Sequence, residues 1–160
     1  MGIRADIRDE LKKESVTKIH GQPKSHDLMI LEKELIAILA GIPTALGGGN
    51  FGHVGVIMEA AAYSTMTEGI AFADPANPGV YPAGLAANAA ATVRARAEAE
   101  HKELITQFET FEGVRQGVKD LILEAVDNEY LIEIEHETLG FLNQTPRQML
   151  DHSLARGGAL

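Results

Sequence analysis

The densest run of chemically suggestive residues is ALGGGNFGHVG, Ala45 to Gly55, where Gly47, Gly48, Gly49, Gly52 and Gly55 surround Phe51 and His53. Three uses of such a stretch compete. Its backbone N–H groups could cradle a phosphate, its imidazole could bind a metal, or its glycines could let the chain bend and pass where no Cβ fits. A Walker loop pairs its glycines with Lys and Ser/Thr, because the Lys neutralises phosphate charge and the hydroxyl holds magnesium. Here Gly48 and Gly49 lead to Phe51, Gly52 and His53, and the next Lys is Lys102. The dinucleotide pattern Gly-x-Gly-x-x-Gly can be laid on Gly47, Gly49 and Gly52, but it belongs after a strand and before a helix, whereas this loop follows a helical pattern. A metal site needs three or four converging ligands. Histidines 20, 26, 53, 101, 136 and 152 are scattered, with no His-x-x-x-His pair and no Cys to assist. The sequence therefore predicts a shape-giving glycine loop, with His53 as a structural imidazole bonded to loop carbonyls.

Other constellations are weaker. Glu133 and Glu137 in EYLIEIEHE share a helical face, yet nothing apolar surrounds them to raise a carboxyl pKa. There is no Gly-x-Ser-x-Gly elbow, and the absence of Cys removes thiol nucleophiles and zinc knuckles together. No catalytic residue, cofactor site or metal site is expected.

Composition sets the bounds on what these residues can do. At 160 residues and 45% hydrophobic, the chain suits a single domain, 1–160, with a core that needs no staples. The N-terminus is charged and has no signal-like apolar region, and no run approaches membrane-spanning length, so a cytoplasmic protein without membrane partners is expected. Met1-Gly2 opens like a myristoylation signal but Asp6 stands where Ser or Thr is required. A formal net charge of −9 without a basic cluster argues against nucleic-acid binding by this chain itself.

The elements that position the loop read as mainly α. Residues 1–15 form an amphipathic helix whose thin stripe of Ile3, Ile7 and Leu11 is a candidate self-association surface. Region 16–84 begins with a core helix, N-capped by Ser25, that carries Leu28, Leu31, Leu35, Ile38 and Leu39 to a stop at Gly41 and Pro43. It continues into a Gly/Pro-rich middle with a small β-hairpin-like element from Gly52 to Ala73, its strands HVGVIM and GIAFA flanking a helical turn in EAAAYSTM. DPANPGVYPAG reads as an extended connection held by Val80 and Tyr81. Region 85–160 is helical: an Ala-rich segment whose residues 86–97 suit close packing, a kink or junction at Gly113 and Gly117, and a short helix over 129–138 with Tyr130 and Ile134 inward. A last helix is opened by Thr145, Pro146 and Gln148 as a capping box, runs through Met149, Leu150 and Leu154, and stops at Gly157 and Gly158.

Taken together, VTKIHGQP, LEKELIAILAGIPTALGGGNFGHVGVIM, FADPANPGVYPAG, LILEAVDNEYL and NQTPRQMLDH resemble the N-terminal part of Gag-like polyproteins of copia-type LTR retrotransposons, particularly those of algae and diatoms. The resemblance runs from about Val16 to Gly158, and Ile42 to Met58 is its most distinctive block. In that family the loop often reads GGGxHGHxG, and Phe51 stands here where its first His would be. The resemblance implies a helical, non-enzymatic capsid protein that assembles with copies of itself into a shell around the element's RNA, with RNA contact supplied by a second lobe or basic segment absent from this chain. Two other readings stay open: a small enzyme or ligand-binding module using the 45–55 loop, and a generic helical interaction domain.

Overall fold

Leu28, Leu31, Leu35 and Leu39 recur at steps of three and four, so a helix gathers them on one face, and that face forms the centre of the molecule. The computed structural model describes residues 2–80 and 90–157, the last four as backbone alone. Its α-helices are α1 Ile3–Lys12, α2 Ser25–Ala40, α3 Ala60–Met66, α4 Ala91–Ala125 and α5 Pro146–Gly157. Among the described residues there is no strand, and the fold is mainly α. Val114, Val118, Leu121 and Ile122 of α4, with Met149 and Leu150 of α5, join the four leucines in one buried cluster. Removing a side chain such as Leu31 or Leu35 from such a core costs about 2–5 kcal/mol.

The helix starts are set by local bonds. Thr145 N–H donates to Gln148 Oε1 at 2.8 Å and Gln148 N–H donates to Thr145 Oγ1 at 3.1 Å, the reciprocal box expected for α5. At α2 the expected cap moves by one residue. Lys24 takes the cap position, its N–H donating to Asp27 Oδ2 at 3.2 Å, and Ser25 is already helical.

The expected break at Gly113 and Gly117 does not occur, because α4 runs unbroken for 35 residues. The two glycines instead cut a notch in its flank that receives α1. A Cβ on Gly113 would stand 2.7 Å from the Arg4 carbonyl oxygen and 2.9 Å from Ile7 Cβ, and one on Gly117 would stand 2.9 Å from Leu11 Cβ. Each glycine costs a helix interior roughly 1 kcal/mol relative to Ala, and the close approach of α1 offsets it. Two forked ion pairs flank the notch: Arg4 to Glu109 at 2.8 and 3.1 Å, and Arg8 to Asp120 at 2.6 and 2.9 Å. Partner numbers rise together, so α1 runs parallel to this part of α4.

The β-hairpin-like element is corrected by the structure. HVGVIM folds as a 3-10 turn over Val54–Val56, EAAAYSTM becomes α3, and GIAFA is irregular. The N–H groups of Val56 and Ile57 bond to the oxygens of His53 and Val54 three residues back, so they are spent inside the turn and could not join a ladder. Residues 129–138 likewise form 3-10 turns, Asn128–Tyr130 and Ile132–Ile134, followed by an isolated antiparallel bridge between His136 and Gly140. Tyr130 and Ile134 do face the core. Val80 is 91% exposed and holds nothing in place, while Tyr81 and residues 86–89 of the Ala-rich stretch lie outside the described residues.

Candidate functional site

The glycine loop is built against the end of α2. The last carbonyls of a helix lack intrahelical donors, and here the partners come from a segment more than ten residues downstream. His53 N–H donates to the Leu39 oxygen at 3.0 Å and the His53 ring donates from Nδ1 to the Ile42 oxygen at 2.7 Å. Gly52, at φ +58°, lies directly on that helix end: a Cβ there would stand 2.6, 2.7 and 2.9 Å from the oxygens of Leu39, Ala40 and Ile42. Three carbonyl oxygens converge on one residue, and only glycine fits.

The other side of the loop is plugged by aromatic rings. Tyr63 of α3 donates its hydroxyl to the Gly47 oxygen at 2.8 Å, and its ring meets Phe72 edge-on at 5.5 Å. Phe72 in turn presses on the bare Cα of Gly55. Gly47, Gly48 and Gly49 all have positive φ, turning the chain through the 3-10 turn Leu46–Gly48. A phosphate cradle needs several N–H groups aimed outward. Those of Gly49, His53 and Val54 are instead spent on Leu46, Leu39 and Phe51.

His53 is fully buried. Because a carbonyl oxygen can only accept, Nδ1 carries the proton, and Nε2 is left as a buried lone pair without a hydrogen-bond partner. Burial lowers the pKa of this imidazole, and the bond to Ile42 opposes that shift only partly. The ring is neutral and holds a loop to a helix. Among the described residues no three His, Asp or Glu side chains gather as metal ligands.

The proposed association stripe has another use. Leu11 is buried, Ile7 is half-buried against the core and Ile3 is 38% exposed, so the stripe faces the glycine notch of α4. Glu133 is an exposed residue whose carboxylate lies 3.7 Å from His152 Nε2, and Glu137 is also exposed.

Two cations, the buried Lys119 and the half-buried Arg147, carry structural roles that the sequence does not reveal. Lys119 is 6% exposed and donates to the oxygens of Phe141, Leu142 and Gln144 at 2.8, 3.4 and 3.1 Å. Burial first, then the neighbouring Arg115 charge, push its pKa down to about 8. Its one sequence signal is its place beside Val118, next to the core-facing Val114, Leu121 and Ile122 of α4. Arg147 ties three segments together, donating to Glu32 of α2 at 2.9 Å, to the Ile57 oxygen at 3.1 Å and to Asp151 of α5 at 2.8 Å.

Comparison with protein-family models, with curated proteins and with solved structures finds no match to this chain. No helix among the described residues is long and apolar enough to cross a membrane.

Proposed function

We propose that this chain is a Gag-like capsid domain, a structural protein that associates with copies of itself in the cytoplasm to form a shell enclosing retrotransposon RNA. The observation that carries this reading is the use made of its most distinctive block, Ile42 to Met58. Gly52 and His53, which would attract a catalytic or nucleotide-binding reading, close the end of α2, Gly47 and Gly55 are packed by Tyr63 and Phe72, and the cations Lys119 and Arg147 hold loops. Supported this way, the chain offers its surfaces, and large apolar side chains such as Met29, Leu104, Ile132 and Leu142 are about half exposed. RNA would be held by basic segments outside this acidic chain.

Light scattering over a concentration series, followed by negative-stain microscopy at the highest concentration, tests the reading. Oligomers or particles appearing as concentration rises are expected; a strict monomer at about 1 mM, far above what weak shell contacts need, overturns self-assembly by this chain. A thermal shift produced by ATP or GTP with magnesium would instead favour the ligand-binding alternative.

A further inference from the structure

We infer that the cavity walled by Asp74 and Arg115 takes a small zwitterion of the α-amino acid class, its carboxylate on Arg115 and its ammonium on Asp74. The cavity holds ≈ 160 Å³ where four segments meet: the 3-10 turn at Val54–Val56, an irregular strap over 70–79, α4 and the start of α5. Val56, Phe111 and Pro146 are among its apolar walls, and Asp74, Arg115 and Arg147 are its charged ones. An engineered cavity of about 150 Å³ accepts benzene, which sets the size of the guest at about six heavy atoms, that of alanine.

The charged walls differ in what they have to spare. Arg147 is committed to Glu32, the Ile57 oxygen and Asp151. Arg115 is not: a guanidinium carries several N–H donors, and among the described residues its one hydrogen bond runs from Nη2 to Glu112 at 2.9 Å. Its side chain is 18% exposed, so little water reaches the rest of that fork. Asp74, on an exposed part of the strap, accepts no hydrogen bond among the described residues. Burial raises its pKa, the Arg115 charge opposes that rise and Glu112 adds to it. A wall rich in donors and a wall of acceptors thus share one cavity without bonding each other. Charges withdrawn from water and left unpaired are costly, and a guest that bridges them relieves both. A simple carboxylate would satisfy Arg115 but meet the like charge of Asp74, and a simple amine would satisfy Asp74 but meet two guanidiniums. An α-amino acid answers both walls, sets its short side chain against Val56 and Phe111, and joins the strap to α4.

Titration of the full chain with L-alanine, followed by amide NMR shifts and thermal unfolding, tests the site. Wild type is expected to bind with a Kd between about 0.1 and about 10 mM and to gain Tm, with shifts centred on the strap, Arg115 and the start of α5. Acetate and methylammonium, each carrying half of the guest's charge, are expected to bind at least about tenfold more weakly, and L-tryptophan is too large to enter. Asp74→Asn removes one charge, and Arg115→Lys keeps the other while removing its fork; circular dichroism verifies that both variants fold, and each should weaken alanine at least about tenfold. No shift in wild type at about 50 mM alanine, or shifts unchanged in both variants, overturns the site. Acetate binding as tightly as alanine makes it an anion site and overturns the zwitterion. None of these readouts depends on association between copies, so the result is separate from that of self-assembly.

Discussion

Gly52→Ala separates the two reasons a glycine can be required. Gly49, at φ +80°, has its nearest prospective Cβ neighbours at 3.8 and 3.9 Å, so substitution there carries only the left-handed backbone cost, about 1–2 kcal/mol for an L-residue. Gly52, at φ +58°, carries that cost and also drives a methyl onto three carbonyl oxygens at 2.6–2.9 Å, all of them backbone at the end of α2. To relieve it the loop must lift. Lifting stretches the His53 bonds to Leu39 and Ile42, now 3.0 and 2.7 Å, each worth about 1 kcal/mol. The sum for Gly52→Ala is about 3–4 kcal/mol. In a domain of this size that is a fall in Tm of about 10 °C, against about 5 °C for Gly49→Ala. Thermal and urea unfolding of both variants, followed by circular dichroism, measures the pair. Equal losses for Gly49→Ala and Gly52→Ala would refute the close-approach argument and reduce the loop to its backbone angles.

Three further outcomes follow from the same geometry. His53 has a folded pKa below its unfolded value, so the unfolded chain binds the extra proton first; stability is full above about pH 6.5 and declines as pH falls below it. His53→Asn keeps a donor near the Ile42 oxygen without a titrating ring, and its urea midpoint should vary less between pH 7 and pH 5, within the ordinary titration range of His, than that of wild type; an unchanged slope would assign the acid sensitivity elsewhere. Lys119→Met leaves the oxygens of Phe141, Leu142 and Gln144 without their shared donor and should cost about 2 kcal/mol, with hydrogen exchange accelerating first in the 139–145 turn. Gly117→Ala improves α4 as an isolated helix by roughly 1 kcal/mol yet pushes Leu11 out of its notch, so trypsin should cut at Lys12 and Lys13 faster while α4 keeps its helicity; unchanged cleavage would mean that α1 does not rely on the notch.

The parts of the fold legible in the sequence are those whose signals are local. The leucine spacing of α2 and the Thr145–Gln148 box of α5 each involve residues a turn apart, and periodicity or hydrogen-bond chemistry reads them directly. The role of His53 as a ring bonded to a loop carbonyl also followed from chemistry, although its partner Ile42 could not be named. What was not legible depends on distant packing. A short apolar run such as HVGVIM has no period long enough to separate strand from tight turn, and the bonds from Val56 and Ile57 N–H to oxygens three residues back make it a turn. Gly113 and Gly117 read as a kink because nothing within their own segment explains them, and their explanation lies in Arg4, Ile7 and Leu11, about a hundred residues earlier. Lys119 is illegible for the same reason, since the three oxygens that accept from it belong to a later turn.

That separation between α1 and its binding site governs the order of events during synthesis. The forked pairs Arg4–Glu109 and Arg8–Asp120 span 105 and 112 residues, so α1 emerges from a ribosome long before the glycine notch exists. At about 5–20 residues per second, the stripe of Ile3, Ile7 and Leu11 stays uncovered for roughly 5–20 seconds in every nascent chain. Two chains growing on one message would each display that stripe while awaiting their own α4. A neighbour that had already completed its notch could receive it first, joining the copies by an exchanged helix.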